Sequence, residues 1–137
     1  MSHGTSRFRI LIADDNDLIR RCMASLIQES GDIEIIGEAS DGFDAVQLTR
    51  LLAPDAVIMD INMPRMDGLE ASRAIHFESP QTKVIGFSMF NDPLIKQEML
   101  LAGAVTCFSK NDPWDKVVAG IHQILDPDLP AKPLLAS

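Results

Sequence analysis

Five short apolar runs divide this chain, and a stretch of helical periodicity follows each of them. The runs lie in Phe8–Ala13, Ile33–Ala39 and residues 57–59, 84–87 and 104–108. Short runs rich in Ile and Val, closed by turn residues, read as strands buried on both faces. The second run differs, because Ile33, Ile35 and Gly37 alternate with Glu34 and Glu38, which is the period-two pattern of an edge strand. The first helical stretch carries Leu18, Ile19, Cys22, Met23, Leu26 and Ile27, with Asn16 or Asp17 as cap and Gly31 as terminator. Asp41-Gly42 opens a second over 43–52, with Phe43, Val46, Leu48 and Leu52. Asp67, with Glu70 three residues on, opens a third from Gly68 to about Glu78. Asp92-Pro93 preorganises a fourth, which Gly103 closes. Asp112-Pro113 opens the last, which runs through Trp114, Val117, Val118, Ile121, Ile124 and Leu125 to a stop at Asp126-Pro127. Strict alternation of this kind predicts an α/β fold, a doubly wound five-stranded parallel sheet with right-handed crossovers.

A chain of 137 residues predicts one domain with a sizeable core. Residues 1–7 read as a loose N-terminus, and 127–137, with Pro127, Pro130 and Pro133, as a linker or tail. The net charge of −8 argues against a basic nucleic-acid face and permits a cation site. Cys22 and Cys107 stand in apolar segments without metal-ligand spacing, so both are expected to be buried, reduced thiols of a cytoplasmic protein. There is no 18-residue apolar run and no signal-peptide pattern at the start, so no membrane segment is expected.

In an open parallel sheet, ligands bind outside the carboxyl ends of the strands. The residues there are Asp14 and Asp15 after the first strand, Asp60 after the third, Ser88 after the fourth and Lys110 after the fifth. Each alone has an ordinary reading: a cap, a turn residue, a solvated lysine. Their agreement on one edge points to a site. Three carboxylates a few Å apart repel by roughly 4 kcal/mol per pair at an effective dielectric near 20. A hard divalent cation relieves that repulsion, and Mg²⁺ accepts one or two carboxylates with waters and phosphate oxygens. A carboxylate nucleophile, a metal, a lysine and a hydroxyl together suit phosphoryl transfer to Asp60.

Over about residues 8–126 the chain resembles the receiver domain of two-component response regulators. The resemblance rests on the acidic pair in A-D-D-N, on V-I-M-D-I-N-M-P-R-M-D-G at 57–68, on V-I-G-F-S and on the lysine of C-F-S-K-N. G-E-A-S-D-G at 37–42, P-D-A-V at 54–57 and D-G-L-E-A at 67–71 resemble the NarL/FixJ (LuxR-type) branch, whose members usually carry a C-terminal helix-turn-helix; none occurs in this sequence. The resemblance implies a flavodoxin-like receiver fold with strand order 2-1-3-4-5. It implies Asp60 as phosphoacceptor for a sensor histidine kinase or phosphotransfer protein, with self-catalysed phosphorylation and dephosphorylation. Mg²⁺ would be held directly by Asp15 and Asp60, by Asp14 mostly through water, and by the backbone carbonyl of Asn62. Ser88 would hydrogen-bond the phosphoryl group and Lys110 would pair with it. A receiver dimer would form through the helix 4–strand 5–helix 5 face or through helices 1 and 5. DNA would be reached only through a separate helix-turn-helix domain.

Two positions depart from the family pattern. Met89 stands after the Ser where a small residue is usual, and Cys107 stands where an aromatic is usual, with Phe108 facing the opposite way by strand alternation. These positions bear on switching more than on phosphorylation. They also support a second reading, a pseudo-receiver that acts as a non-phosphorylated interaction module. A nucleotide-binding enzyme is disfavoured by the lack of both G-x-G-x-x-G and a P-loop. His3, His76 and His122 share no ligand spacing and read as surface residues, and Met59, Met63, Met66, Met89 and Met99 as core and loop fillers.

Overall fold

The computed structural model describes residues 8–89 and 92–128. The loose start at 1–7, including His3, and most of the expected tail at 127–137 lie outside the described residues. Five strands form one parallel sheet in the order β2-β1-β3-β4-β5: β1 Phe8–Ala13, β2 Ile33–Ala39, β3 Ala56–Asp60, β4 Lys83–Ser88 and β5 Thr106–Ser109. The helices are α1 Asp17–Gln28, α2 Gly42–Leu52, α3 Gly68–Glu78, α4 Pro93–Leu101 and α5 Trp114–Leu125.

Two cores sandwich the sheet. Leu11, Val57, Met59, Val84 and Cys107 face α2, α3 and α4 on one side, joined by Val46, Ile75 and Met99. Ile10, Ile12, Ile58, Ile85 and Phe87 face α1 and α5 on the other, joined by Met23, Ile27, Val117 and Ile121. Neighbouring residues of one strand fall into different cores because successive side chains alternate across the sheet. β3 is buried at all five positions, as a central strand covered on both faces must be. β2 is an edge strand, as β5 is at the other side of the sheet, and its pairing shifts register between Ile10 and Leu11 of β1. No helix among the described residues is long and apolar enough to cross a membrane.

Several local expectations are corrected. α1 ends at Gln28, and Gly31, at φ 84°, lies in the turn beyond it. Leu18 is 71% exposed and Cys22 is exposed, so only Cys107 is a buried thiol. The inward face of α1 is instead Arg20, Met23, Ala24 and Ile27. Asp112 caps no helix: its Oδ2 accepts from Ser109 N at 3.0 Å, and Pro113 takes the N-cap position before α5, which has no side-chain cap. His122 is not a plain surface residue, because its Nε2 lies 2.9 Å from Asp32 Oδ1 and its Nδ1 3.0 Å from the Val118 carbonyl.

Candidate functional site

The carboxyl edge of the sheet gathers the expected side chains. β1 ends at Ala13, so Asp14 and Asp15 occupy the turn into α1. There Asp14 Oδ1 accepts from Asn16 N at 2.9 Å, and Asn16 caps the helix through Ile19 N at 3.0 Å. Asp60 is the last residue of β3 rather than part of the following loop. That loop turns back at once: Gly68 N donates to the Ile61 carbonyl at 2.8 Å. A Cβ on Gly68 would run into the Asp60 carbonyl, so glycine is what lets the start of α3 press against the end of β3.

Carboxylate oxygens of Asp14, Asp15 and Asp60 lie within 4.8 Å of one another. Asp14 and Asp60 are buried and Asp15 is exposed. Lys110 Nζ stands 2.8 Å from Asp14 Oδ2 and 3.5 Å from Asp60 Oδ1. Lys110 is aimed by its own backbone, since its N–H donates to the Ser88 carbonyl at 2.6 Å and so ties the end of β5 to the end of β4. Asp60 Oδ1 also accepts from Ile61 N at 2.9 Å. Burial, and next the neighbouring Asp14 carboxylate, push the Asp60 carboxyl up to about 6, against the opposing pull of Lys110.

A cleft of about 230 Å³ opens over these groups, lined by Asp14, Asp15, Asn16, Asp60, Asn62, Met89 and Lys110. Its donors are hard oxygens at the spacing a small divalent cation bridges, and the exposed Asp15 leaves room for water or phosphate oxygens, so the residues fit Mg²⁺. Ser88 and Cys107 do not line that cleft. They border a neighbouring cavity of about 10 Å³, with Asp92, Ile95, Lys96, Phe108 and Ser109. Met89 is half-exposed at the cleft wall.

Sequence reasoning missed two arginines, one of which bonds the site residue Asp14. Arg20 donates to the Asp14 carbonyl at 2.6 Å, to Asp17 Oδ1 at 2.7 Å and to Glu38 Oε1 at 2.8 Å. An arginine at a core-facing helix position between apolar residues is the signal that could have found it. Arg65, in the loop after β3, donates to Asp41 Oδ2 at 2.7 Å and lies over the Phe43 ring at 5.3 Å.

A family model described as the response regulator receiver domain matches residues 10–122. The chain is 38% identical over 114 residues to the transcriptional regulatory protein LiaR of Bacillus subtilis, covering 83% of this chain and 54% of that protein. It is 42% identical over 104 residues to protein-glutamate methylesterase/protein-glutamine glutaminase 4 of Myxococcus xanthus, covering 74% of this chain and 29% of that one. The chain thus spans about half of one relative and under a third of the other. A LuxR-family two-component response regulator from Aurantimonas superposes with a TM-score of 0.85 at 28% identity, over 96% of this chain and 94% of that chain.

Proposed function

The chain belongs to the response regulator receiver domain family, and on that premise we propose that it is a working phosphoacceptor, modified on Asp60 by a histidine kinase or phosphotransfer protein. The observation that carries this reading is the state of the Asp60 carboxylate. It ends a strand buried on both faces, lies within 4.8 Å of the Asp14 and Asp15 oxygens, and has Lys110 3.5 Å from Oδ1. Burial and a like charge raise it to about 6, and a carboxyl perturbed in this way in a cleft marks a candidate functional group.

In the transfer, an Asp60 carboxylate oxygen attacks the phosphorus of a phosphohistidine or small phosphodonor. The new O–P bond forms as the donor's own bond to phosphorus breaks: from phosphohistidine the imidazole nitrogen leaves and takes a proton from solvent, and from an acyl phosphate the carboxylate leaves. Mg²⁺, when bound by Asp15, Asp60 and the Asn62 carbonyl, with Asp14 acting mostly through water, supplies positive charge for the phosphoryl oxygens. Lys110 adds a second charge by leaving Asp14 for the phosphoryl group, and Ser88 adds a donor. Water later attacks the acyl phosphate, which returns the Asp60 carboxylate and inorganic phosphate.

The output is transcriptional, through a DNA-binding domain outside this chain. The likeness to LiaR and to a LuxR-family regulator supports this, and the net charge of −8 argues against a basic DNA-binding face here. Met89 on the cleft wall and Cys107 behind Ser88 support the alternative of a non-phosphorylated interaction module. Incubation with acetyl phosphate and Mg²⁺, followed by intact-mass measurement, separates the two. One phosphoryl addition that disappears in Asp60→Asn is expected. No addition, or one that survives the substitution, overturns the assignment.

A further inference from the structure

Every polar group of Asp14 is held. Its N–H donates to the Ala39 carbonyl of β2 at 3.0 Å, its Oδ1 accepts from Asn16 N at 2.9 Å, and its Oδ2 meets Lys110 Nζ at 2.8 Å. The remaining group, its carbonyl, accepts from Arg20 Nη1 at 2.6 Å. Arg20 is 9% exposed on α1. Its planar fork reaches three segments at once: the end of β1 at Asp14, the first turn of α1 at Asp17 and the end of β2 at Glu38.

The peptide unit joining Asp14 to Asp15 is planar, so a carbonyl fixed at Asp14 fixes the direction in which the Asp15 Cα leaves. Asp15 is the exposed member of the three-carboxylate group, whereas Asp14 and Asp60 are buried. We propose that Arg20 is a positioning residue for the cation site: by pinning the Asp14 carbonyl it sets the Asp14–Asp15 peptide plane and with it the aim of the Asp15 carboxylate at the bound divalent cation. This rests on the Mg²⁺ reading of the cleft given above.

The sign of the effect separates positioning from charge. Asp17 and Glu38 already neutralise the guanidinium. If Arg20 acted on the cation by its field, removing its positive charge would tighten Mg²⁺ binding. If it acts by holding the peptide plane, removing the fork weakens binding. Outer partners that orient metal ligands typically alter affinity by about 10–100-fold when removed. A group that served the fold alone would lower stability and leave the affinity of the folded protein unchanged.

The test is a Mg²⁺ titration of the full chain, followed by the fluorescence of Trp114, its single tryptophan, which lines the groove shared with Lys110. It is run on wild type, Arg20→Met, Arg20→Lys and Asp17→Asn, each first shown to be folded by a urea melt. Mg²⁺ affinity weaker by tenfold or more is expected in Arg20→Met. Arg20→Lys, which keeps the charge and loses the fork, is expected to follow it closely, and it carries the test alone if the methionine variant does not fold. Asp17→Asn, which leaves the contact with the Asp14 carbonyl, should bind within about twofold of wild type. A wild type that does not bind Mg²⁺ overturns the underlying site reading. A wild type that binds, with Arg20 variants unchanged or tighter, overturns the role of Arg20 alone.

Discussion

Lys110 and Asp14 are 96 residues apart in sequence, yet Lys110 Nζ lies 2.8 Å from Asp14 Oδ2. The lysine is therefore committed to one carboxylate of the pair it serves, and its distance to Asp60 is longer, at 3.5 Å. Asp60 is left with more burial than compensation, which is why its carboxyl is raised to about 6. The proposed phosphorylation and Mg²⁺ binding would each add charge that competes for this lysine.

Asp60→Asn should stabilise the chain at neutral pH. A carboxyl raised from 3.8 to about 6 binds its proton more tightly when folded, so wild type loses stability as pH rises from about 4 to 6. The neutral amide does not lose it. Allowing for solvent screening, the gain should be on the order of 1–2 kcal/mol at pH 7 and vanish near pH 4. Urea melts of both proteins at several pH values, without divalent cations, check this. An equal or lower midpoint for Asp60→Asn at pH 7 would refute it.

The pair between His122 on α5 and Asp32 before β2 should stabilise the chain in a bounded pH window. Burial pulls the His122 imidazole down, but the Asp32 carboxylate and the Val118 carbonyl outweigh it and raise it above 6.5. Burial likewise pushes Asp32 up, and Ser30 and His122 outweigh it and lower it below 3.8. The histidine contribution is present below pH 6.5 and lost as pH rises through the folded value. The aspartate contribution is present above pH 3.8 and lost as pH falls through its folded value. His122→Gln should therefore cost most near pH 5, roughly 0.5–1 kcal/mol for so solvent-accessible a pair, and little at pH 8.5. A cost that is the same at both pH values would contradict the pairing.

Arg65 has a φ of 65°, in the left-handed region where a side chain costs about 1 kcal/mol. Its bonds to Asp41 and its place over Phe43 hold it there. Arg65→Ala loses these partners and keeps the backbone cost, whereas Arg65→Gly loses both. The glycine variant should be the more stable of the two by about 1 kcal/mol in thermal melts, and the reverse order would show that this backbone carries no strain.

Switching should be weak or rerouted on β5. A phosphoryl group shifts a conformation only through contacts that differ between two states. Cys107 packs on the side of Gly86 and Met99, and the cavity beside it holds about 10 Å³, room for one water and not for a ring. The shift is then carried by Met89, the start of α4, and Phe90, which lies outside the described residues. Cys107→Tyr should cost about 1–3 kcal/mol by overpacking and enlarge the β5 amide-exchange change caused by a phosphoryl mimic. A large change already present on β5 in wild type, and not enlarged by tyrosine, would refute this.

Strand positions and the convergence of Asp14, Asp15, Asp60 and Lys110 were legible in the sequence, because βα alternation puts every strand's carboxyl end on one edge, whereas the strand order came from the family resemblance. Caps with a strong local signal, Asp41, Asp67 and Asp92, were legible for the same reason: each acts within three residues of itself. Asp112 broke that rule because the amide of Ser109, three residues before it, took its carboxylate. Cys22, Leu18 and Arg20 were misread or missed because helical spacing shows a periodicity but not which side of a broad stripe meets the sheet. That choice belongs to packing: α1 turns Met23 and Ile27 toward β1 and β3, and Arg20 comes with them to reach Asp14 and Glu38. Sequence by itself determined which residues meet at the sheet edge. Only the tertiary structure decided how their charges are shared, because Lys110, Arg20 and Arg65 reach partners 96, 6 and 24 residues away through distances no local pattern encodes.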